Sequence, residues 1–281
     1  MQSHSATKLN QPPNILLAQE KPVFEIVNAK GAAPVIFVCE HASNRIPQYF
    51  GDLGLSQQEL QSHIAWDPGA RQIALALSTA FDAPLISSSV SRLIYDCNRP
   101  PDSANAMRTK SENTLIPGNT NISEAEAHAR IEQIYLPFVS KLQSVIKQKS
   151  DTATLPVMIT IHSFTPVYFG KPRDVEIGVL HSDDGRLADA MLALNSAHTA
   201  LNVKRNKPYG PLDGVTHTLK EHGLKNGLIN VMLEIRNDLI AAPKDQQAMA
   251  LMLTRWLKDA LARLDVSLQI SEPDDLTAKK E

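Results

Sequence analysis

The sequence predicts an α/β protein: a single domain with a mixed, mostly parallel sheet flanked by helices on both faces. Three observations carry that prediction. Residues 35–38, 155–161 and 228–233 are short, nearly continuous apolar runs rich in β-branched side chains, as expected of strands covered on both sides. Amphipathic helical patterns alternate with these runs. Each run also ends at or beside an ionisable residue, namely His41, His162 and Glu234. Polar groups are thereby delivered to the carboxyl ends of central strands, where open α/β sheets bind ligands.

The elements follow in order. Residues 1–20 read as a disordered lead-in, because Met1 to Asn14 is polar and lacks the apolar core of a secretory signal. Residues 21–270 form the predicted domain, and 271–281 a charged, flexible tail. An edge strand is expected at 23–27 and the first central strand at 35–38. Ser56-Gln-Gln-Glu59 fits a capping box that opens a short helix. Asp67-Pro68 reads as an N-cap followed by proline at the first helical position, with the helix running to about Thr79. Residues 83–88 are expected to be a strand and 92–96 another extended piece. Residues 99–122 lack periodicity and are rich in Pro, Asn and Ser, and loops of that length are commonly functional. Ser123-Glu-Ala-Glu126 opens a long amphipathic helix to about Lys149, with a kink expected at Pro137. A strand from Leu155, a strand at 175–180, a helix at 185–195, the loop Asn206-Lys-Pro-Tyr-Gly-Pro211, a strand from Leu228 and a closing helix at 244–264 complete the chain. No internal repeat or linker divides it.

With 281 residues, 43% of them hydrophobic, the chain can bury a full core. A net charge of -2 gives no electrostatic reason to expect nucleic acid or an anionic membrane as partner. No apolar stretch reaches the roughly 18 residues a membrane-spanning helix needs. Only Cys39 and Cys97 occur, each within a strand-like run, which suits a reducing compartment and makes the cytoplasm the expected location. A nucleophile elbow, a Walker loop, GxGxxG, HExxH and CxxC are all absent. Ser163 beside His162 is poorly placed as a nucleophile and base, since neighbours on a strand point to opposite faces.

A hydrolytic metal site fits the pattern better. His41 and His162 at strand ends, with one carboxylate and an open position for water, form the ligand set of hydrolytic zinc. Either histidine alone is more often a hydrogen-bonded structural residue, and the two joined by a carboxylate point to a site. The carboxylate is Asp67 or Glu40. Glu40 is the weaker choice, because neighbours along an extended backbone diverge, whereas the helix after the anchor strand brings Asp67 back over the strand end. A plain N-cap remains the other reading of Asp67. Glu234 lies inside an apolar strand, where a carboxylate is rarely buried without a partner. It is a general-base candidate, or else the partner of Arg236 or Arg92. Arg92, Asp96, Asn98 and Arg99 crowd together, and an arginine fork grips a carboxylate at two points. Arg92 and Asp96 alternatively form a structural ion pair. His63, His128, His181 and His198 read as surface or packing residues, and His217 and His222 as neighbours of the site.

Together the segments Cys-Glu-His-Ala-Ser-Asn-Arg-Ile-Pro, His-Ile-Ala-Trp-Asp-Pro-Gly-Ala, Ser-Arg-Leu-Ile-Tyr-Asp-Cys-Asn-Arg-Pro, Ile-His-Ser-Phe-Thr-Pro, Asn-Lys-Pro-Tyr and Glu-Ile-Arg-Asn-Asp-Leu-Ile resemble the N-formylglutamate amidohydrolase family across roughly residues 34–240. The resemblance implies the phosphorylase/hydrolase-like fold of zinc carboxypeptidases and aspartoacylase-type deacylases, one Zn2+ per chain (or another divalent metal), and cleavage of an amide beside a carboxylate. It implies that His41 and His162 bind the metal, that Glu234 is the general base, and that Asn98 and Arg99 hold the substrate carboxylate; Arg92 is read beside them as a catalytic residue that polarises the amide oxygen or helps to anchor the carboxylate. Asn206, Tyr209 and Ser163 join the substrate site. The departure is the third ligand: carboxypeptidase-like enzymes carry His-x-x-Glu, and here that fourth position is Asn44. Asp67 takes the role, with Glu40 in reserve. The expected partner is therefore a small carboxylate-bearing amide. Two alternatives are a carboxypeptidase-like peptidase acting on short peptides or peptidoglycan fragments, and a non-catalytic carboxylate-binding protein.

Overall fold

A computed structural model describes residues 12–151 and 155–268 of the chain. Seven strands form one sheet: β1 (Phe24–Val27), β2 (Val35–Cys39), β3 (Leu85–Ser88), β4 (Val157–Phe164), β5 (Ile177–Leu180), β6 (Val203–Arg205) and β7 (Asn230–Arg236). Their spatial order is β1-β3-β2-β4-β7-β5-β6. The central pairs β3/β2, β2/β4 and β4/β7 are parallel, as is β5/β6, while β1 on β3 and β5 on β7 run antiparallel. The three apolar runs of the sequence are thus the three adjacent central strands, each buried along nearly its whole length.

Alternation along these strands supplies two cores. The α-helices among the described residues are α1 (Gln57–Gln61), α2 (Ala70–Phe81), α3 (Glu124–Arg130), α4 (Leu136–Ser150), α5 (Arg186–His198) and α6 (Pro243–Ala262). Val35, Phe37, Ile159, Ile161, Val231 and Leu233 face α2, α5 and α6. Ile36, Val38, Met158 and Met232 face the other layer, which includes Phe138, Leu142 and Val145 of a long helix. That helix comprises Glu124–Arg130, a π-turn at Ile131–Tyr135 and Leu136–Ser150. The wider π-turn lies just before Pro137 and accommodates its missing N–H, so the element continues past the proline.

Several local expectations are corrected. Residues 92–96 form no strand: 92–94 make a turn, because the Ser91 hydroxyl and the Asp96 carboxylate each accept the backbone N–H two residues on, from Leu93 and Asn98. Asp67 is not the N-cap of α2. Gly69, at φ 83°, takes that position, and a Cβ there would stand 2.7 Å from the Ile240 carbonyl oxygen. The expected loop at 99–122 contains a small hairpin pairing Lys110–Ser111 with Thr114–Leu115. Of the lead-in expected at 1–20, residues 1–11 lie outside the described residues. Ile15, by contrast, is fully buried, and its N–H donates to Gln133 Oε1 at 3.0 Å. The tail expected at 271–281 also lies outside the described residues. No helix among the described residues is long and apolar enough to cross a membrane.

Candidate metal and amide-cleavage site

The carboxyl ends of β2, β4 and β7 open into a cleft of about 460 Å³. His41 lies two residues beyond β2, His162 lies within β4, and Glu234 of β7 is the register partner of His162 across the parallel ladder. Asp67 reaches the same place because its backbone N–H donates to the His41 carbonyl at 2.9 Å. Its carboxylate is oriented by the Ser163 N–H, 3.2 Å from Oδ2, while the Ser163 hydroxyl donates to the Pro68 carbonyl at 2.8 Å. Ser163 therefore holds the turn that carries Asp67.

Three ligand-type atoms converge. His41 Nδ1 is 3.2 Å from Asp67 Oδ2, His162 Nδ1 is 3.0 Å from the same oxygen, and the two Nδ1 atoms are 3.2 Å apart. All three residues are buried. The outer nitrogens face other carboxylates: His41 Nε2 is 2.7 Å from Asp96 Oδ1, and His162 Nε2 is 3.1 Å from Glu40 Oε2. Ionised carboxylates only accept, so they favour the proton on each Nε2 and leave both Nδ1 lone pairs aimed at the centre. Three lone-pair-bearing atoms at this spacing repel one another unless a proton or a cation lies between them. Ligands of tetrahedral zinc, bonded at about 2.0–2.2 Å, stand about 3.3 Å apart, so the donor set and its spacing fit a zinc ion. Glu40, the reserve ligand, lies behind His162 and outside this group.

The electrostatics agree with a site built for positive charge. Burial opposes ionisation of Asp67, but His41, His162 and Arg92 outweigh it and hold the carboxyl below its usual range. Burial likewise opposes a charge on His162, yet Glu40 and Asp67 raise its pKa well above the ordinary imidazole value. Glu234 differs: burial dominates and pushes its carboxyl up to about 7. Its Oε2 has no hydrogen-bond partner among the described residues, and it forms no ion pair with Arg236 or Arg92.

The arginines divide into two kinds. Arg92 bridges Asp67 Oδ1 at 3.2 Å and Asp96 Oδ2 at 2.8 Å, so it is a structural ion pair that also lines the cleft. Arg108, which the sequence reading did not single out, shares Asp96 at 3.0 Å and lines the cleft. Arg99 lines it with no carboxylate partner among the described residues, its side chain donating to the Asn98 carbonyl at 2.8 Å. Asn98 reaches the cleft wall, but its amide is engaged with backbone, donating to the Val215 carbonyl and accepting from the Thr218 N–H. Tyr209 lines the cleft, whereas Asn206 does not; Asn206 Oδ1 accepts from the His181 N–H at 2.9 Å and secures the end of β5. His63, expected to be a surface or packing residue, also lines the cleft. It meets Glu112 Oε1 at 2.6 Å, and Glu112 Oε2 accepts the Phe169 N–H at 2.9 Å. Arg108 and His63 carried no pattern signal of their own beyond the length of the 99–122 loop that folds over them.

Comparison with known proteins agrees with this architecture. A profile of the N-formylglutamate amidohydrolase family matches residues 33–241. Among solved structures, a gene product of Agrobacterium tumefaciens is 50% identical with a TM-score of 0.87, covering 89% of this chain and 99% of that one. An N-formylglutamate amidohydrolase from Ralstonia eutropha JMP134 is 19% identical with a TM-score of 0.60, covering 88% of this chain and 100% of that one, a likeness of fold. No curated protein matches the chain.

Proposed function

This chain belongs to the N-formylglutamate amidohydrolase family, and from that premise we propose that it is a zinc-dependent enzyme cleaving the acyl amide of an N-acyl amino acid with activated water. That it is a hydrolase acting on amides follows from membership; the metal, the substrate and the residue roles are the proposal. The observation that carries it is the convergence of His41 Nδ1, His162 Nδ1 and Asp67 Oδ2 at 3.0–3.2 Å beside the unpartnered Glu234.

In this reading those three atoms hold zinc, and Asp96 and Glu40 fix the imidazole tautomers from behind. Zinc bound there would polarise the amide carbonyl and acidify water. Glu234, buried beside the ligand group with its Oε2 making no hydrogen bond to any described residue, takes the proton from the attacking water and returns it to the leaving nitrogen. Arg92, whose Nε makes no hydrogen bond to any described residue, stabilises the negative charge that develops on the amide oxygen. Arg99 receives the substrate carboxylate, and Tyr209 lines the same pocket. Asn98 positions the 215–218 wall rather than touching substrate.

Two contacts favour a small substrate over a peptide chain. Asn105, Arg108 and Ser111 of the long loop line the cleft, and Glu112 ties that loop to His63 and to the Phe169 backbone. Cys39 and Cys97 are buried free thiols, and we place the enzyme in the cytoplasm on that chemistry.

The test is zinc content measured alongside hydrolysis of a panel of N-acyl amino acids by wild type and His162→Ala. Stoichiometric zinc, lost in the variant together with amide cleavage, is the expected result. Zinc bound without cleavage of any member would move the search to peptides. Failure to bind metal under any loading condition would overturn the catalytic reading.

A further inference from the structure

Glu112 belongs to neither the ligand group nor the arginines, yet three separate segments meet on its side chain. His63, in the turn between α1 and α2, places Nε2 2.6 Å from Oε1, and the Phe169 N–H donates to Oε2 at 2.9 Å. Glu112 is at the tip of the hairpin that pairs Lys110–Ser111 with Thr114–Leu115. Phe169 is at the tip of a second hairpin, which pairs Val167–Tyr168 with Lys171–Pro172. No other hydrogen bond among the described residues joins the two. Each hairpin has only two residue pairs, too few to be stable alone. Apolar packing does not secure them either: Leu115, Val167 and Phe169 are 65%, 47% and 53% exposed. Glu112 and Phe169 both sit in left-handed backbone, at φ 49° and 47°, a conformation costly for residues with a Cβ and kept only by surrounding contacts.

This junction stands at the mouth of the cleft. Ser111 and Tyr168, one from each hairpin, line the cleft together with His63. His41 and His162 are buried at its floor, whereas the side chains of His63 and Glu112 stay partly exposed. A carboxylate that meets an imidazole with one oxygen and a backbone N–H with the other ties the two hairpins to each other and to the turn before α2. From this we infer that Glu112 is a specificity-determining residue. By clasping the hairpins at the mouth, it sets the width of molecule that the cleft admits, passing a compact amide and excluding a longer chain. The inference rests on the amidohydrolase reading for what passes, though not for the size limit itself.

Thiol labelling separates this inference from the reaction. Val215 lines the cleft with its side chain mostly buried, so Val215→Cys offers one thiol inside it. Cys39 and Cys97 are buried, and the chain without that substitution supplies their background. Iodoacetamide and a fluorescein maleimide then report the entry of a compact and a bulky molecule. Adding Glu112→Ala is expected to speed the bulky reagent at least about tenfold and the compact one less than about twofold, since hydrogen bonds to a charged group are lost. Glu112→Gln, which keeps an acceptor for the Phe169 N–H but loses the charge, is expected to fall between. An unchanged rate for the bulky reagent would overturn the inference. So would equal acceleration of both reagents, or new labelling of Cys39 and Cys97, since either marks a general loosening. Hydrolysis carries the test to substrates, comparing an N-acyl amino acid with the same amide lengthened by two residues at its carboxyl end. Glu112→Ala should narrow the wild-type preference for the short amide, through a lower KM for the long one, and a preference left intact would also sink the idea. Size-selective labelling without cleavage of any amide would uphold it and count against the amidohydrolase reading instead.

Discussion

Glu234 shows how a single buried side chain couples stability to chemistry. Burial keeps it protonated up to about pH 7, whereas an ordinary glutamate ionises near 4.5. Between those values the unfolded chain has released the proton and the folded metal-free chain still holds it. Stability from this group therefore falls as pH rises from 4.5 to 7 and is level above that window. Glu234→Gln removes the term, so in metal-free protein its stability relative to wild type should grow across the window, by on the order of 3 kcal/mol. Urea denaturation at pH 5 and pH 8 reads this directly, and an equal difference at both would contradict it. In the zinc form the same variant should keep its metal and lose about 10²–10⁴-fold in kcat. Asn98 makes a contrasting case. Asn98→Ala strands the buried Val215 carbonyl and Thr218 N–H, so it should cost about 1–3 kcal/mol in the folding equilibrium. Activity should fall only as far as the 215–218 wall loosens.

The turn between β2 and α2 decides whether the metal group exists at all. Asp67 faces His41 and His162 because Gly69, and not Asp67, starts the helix at a positive φ against the Ile240 carbonyl. Gly69→Ala brings both left-handed strain and a 2.7 Å contact with that carbonyl oxygen, so a loss of about 2–4 kcal/mol is expected. If the turn carries Asp67 as described, zinc affinity should drop in the same variant. Retained affinity with lowered stability would separate the turn from the site. At this scale the sequence was legible where local rules dominate. The capping box at Ser56 and Glu59 formed as the pattern required, and the three apolar runs became the three central strands. Residues 92–96 misled because the apolar run Leu93 to Tyr95 was outweighed by the side-chain bonds of Ser91 and Asp96 to the backbone, which curl the segment.

For the whole molecule, a metal that binds only the folded chain must stabilise it. Zinc at about a thousand times its Kd should add about 4 kcal/mol and raise Tm, and a chelator should reverse the shift. His162→Ala should show neither response; a zinc-dependent Tm in that variant would place the metal elsewhere. What the sequence determined by itself was the sheet, through continuous apolar runs, and the ionisable residues delivered to its carboxyl edge. A strand's direction and its last residue set where a polar side chain emerges, and both are local properties. The Arg92–Asp96 pair, four residues apart, was legible too. The tertiary structure decided how the other charges of the site pair. Asp96 gathers His41, Arg92 and Arg108 from three separate segments. Glu40 falls behind His162, Asn98 turns its amide to the 215–218 backbone, and Arg173 lies among the rings of Tyr168 and Tyr209 and donates to the Tyr209 hydroxyl. Electrostatic pairing depends on distances of a few ångströms between residues far apart in the chain, and no periodicity along the chain encodes those distances.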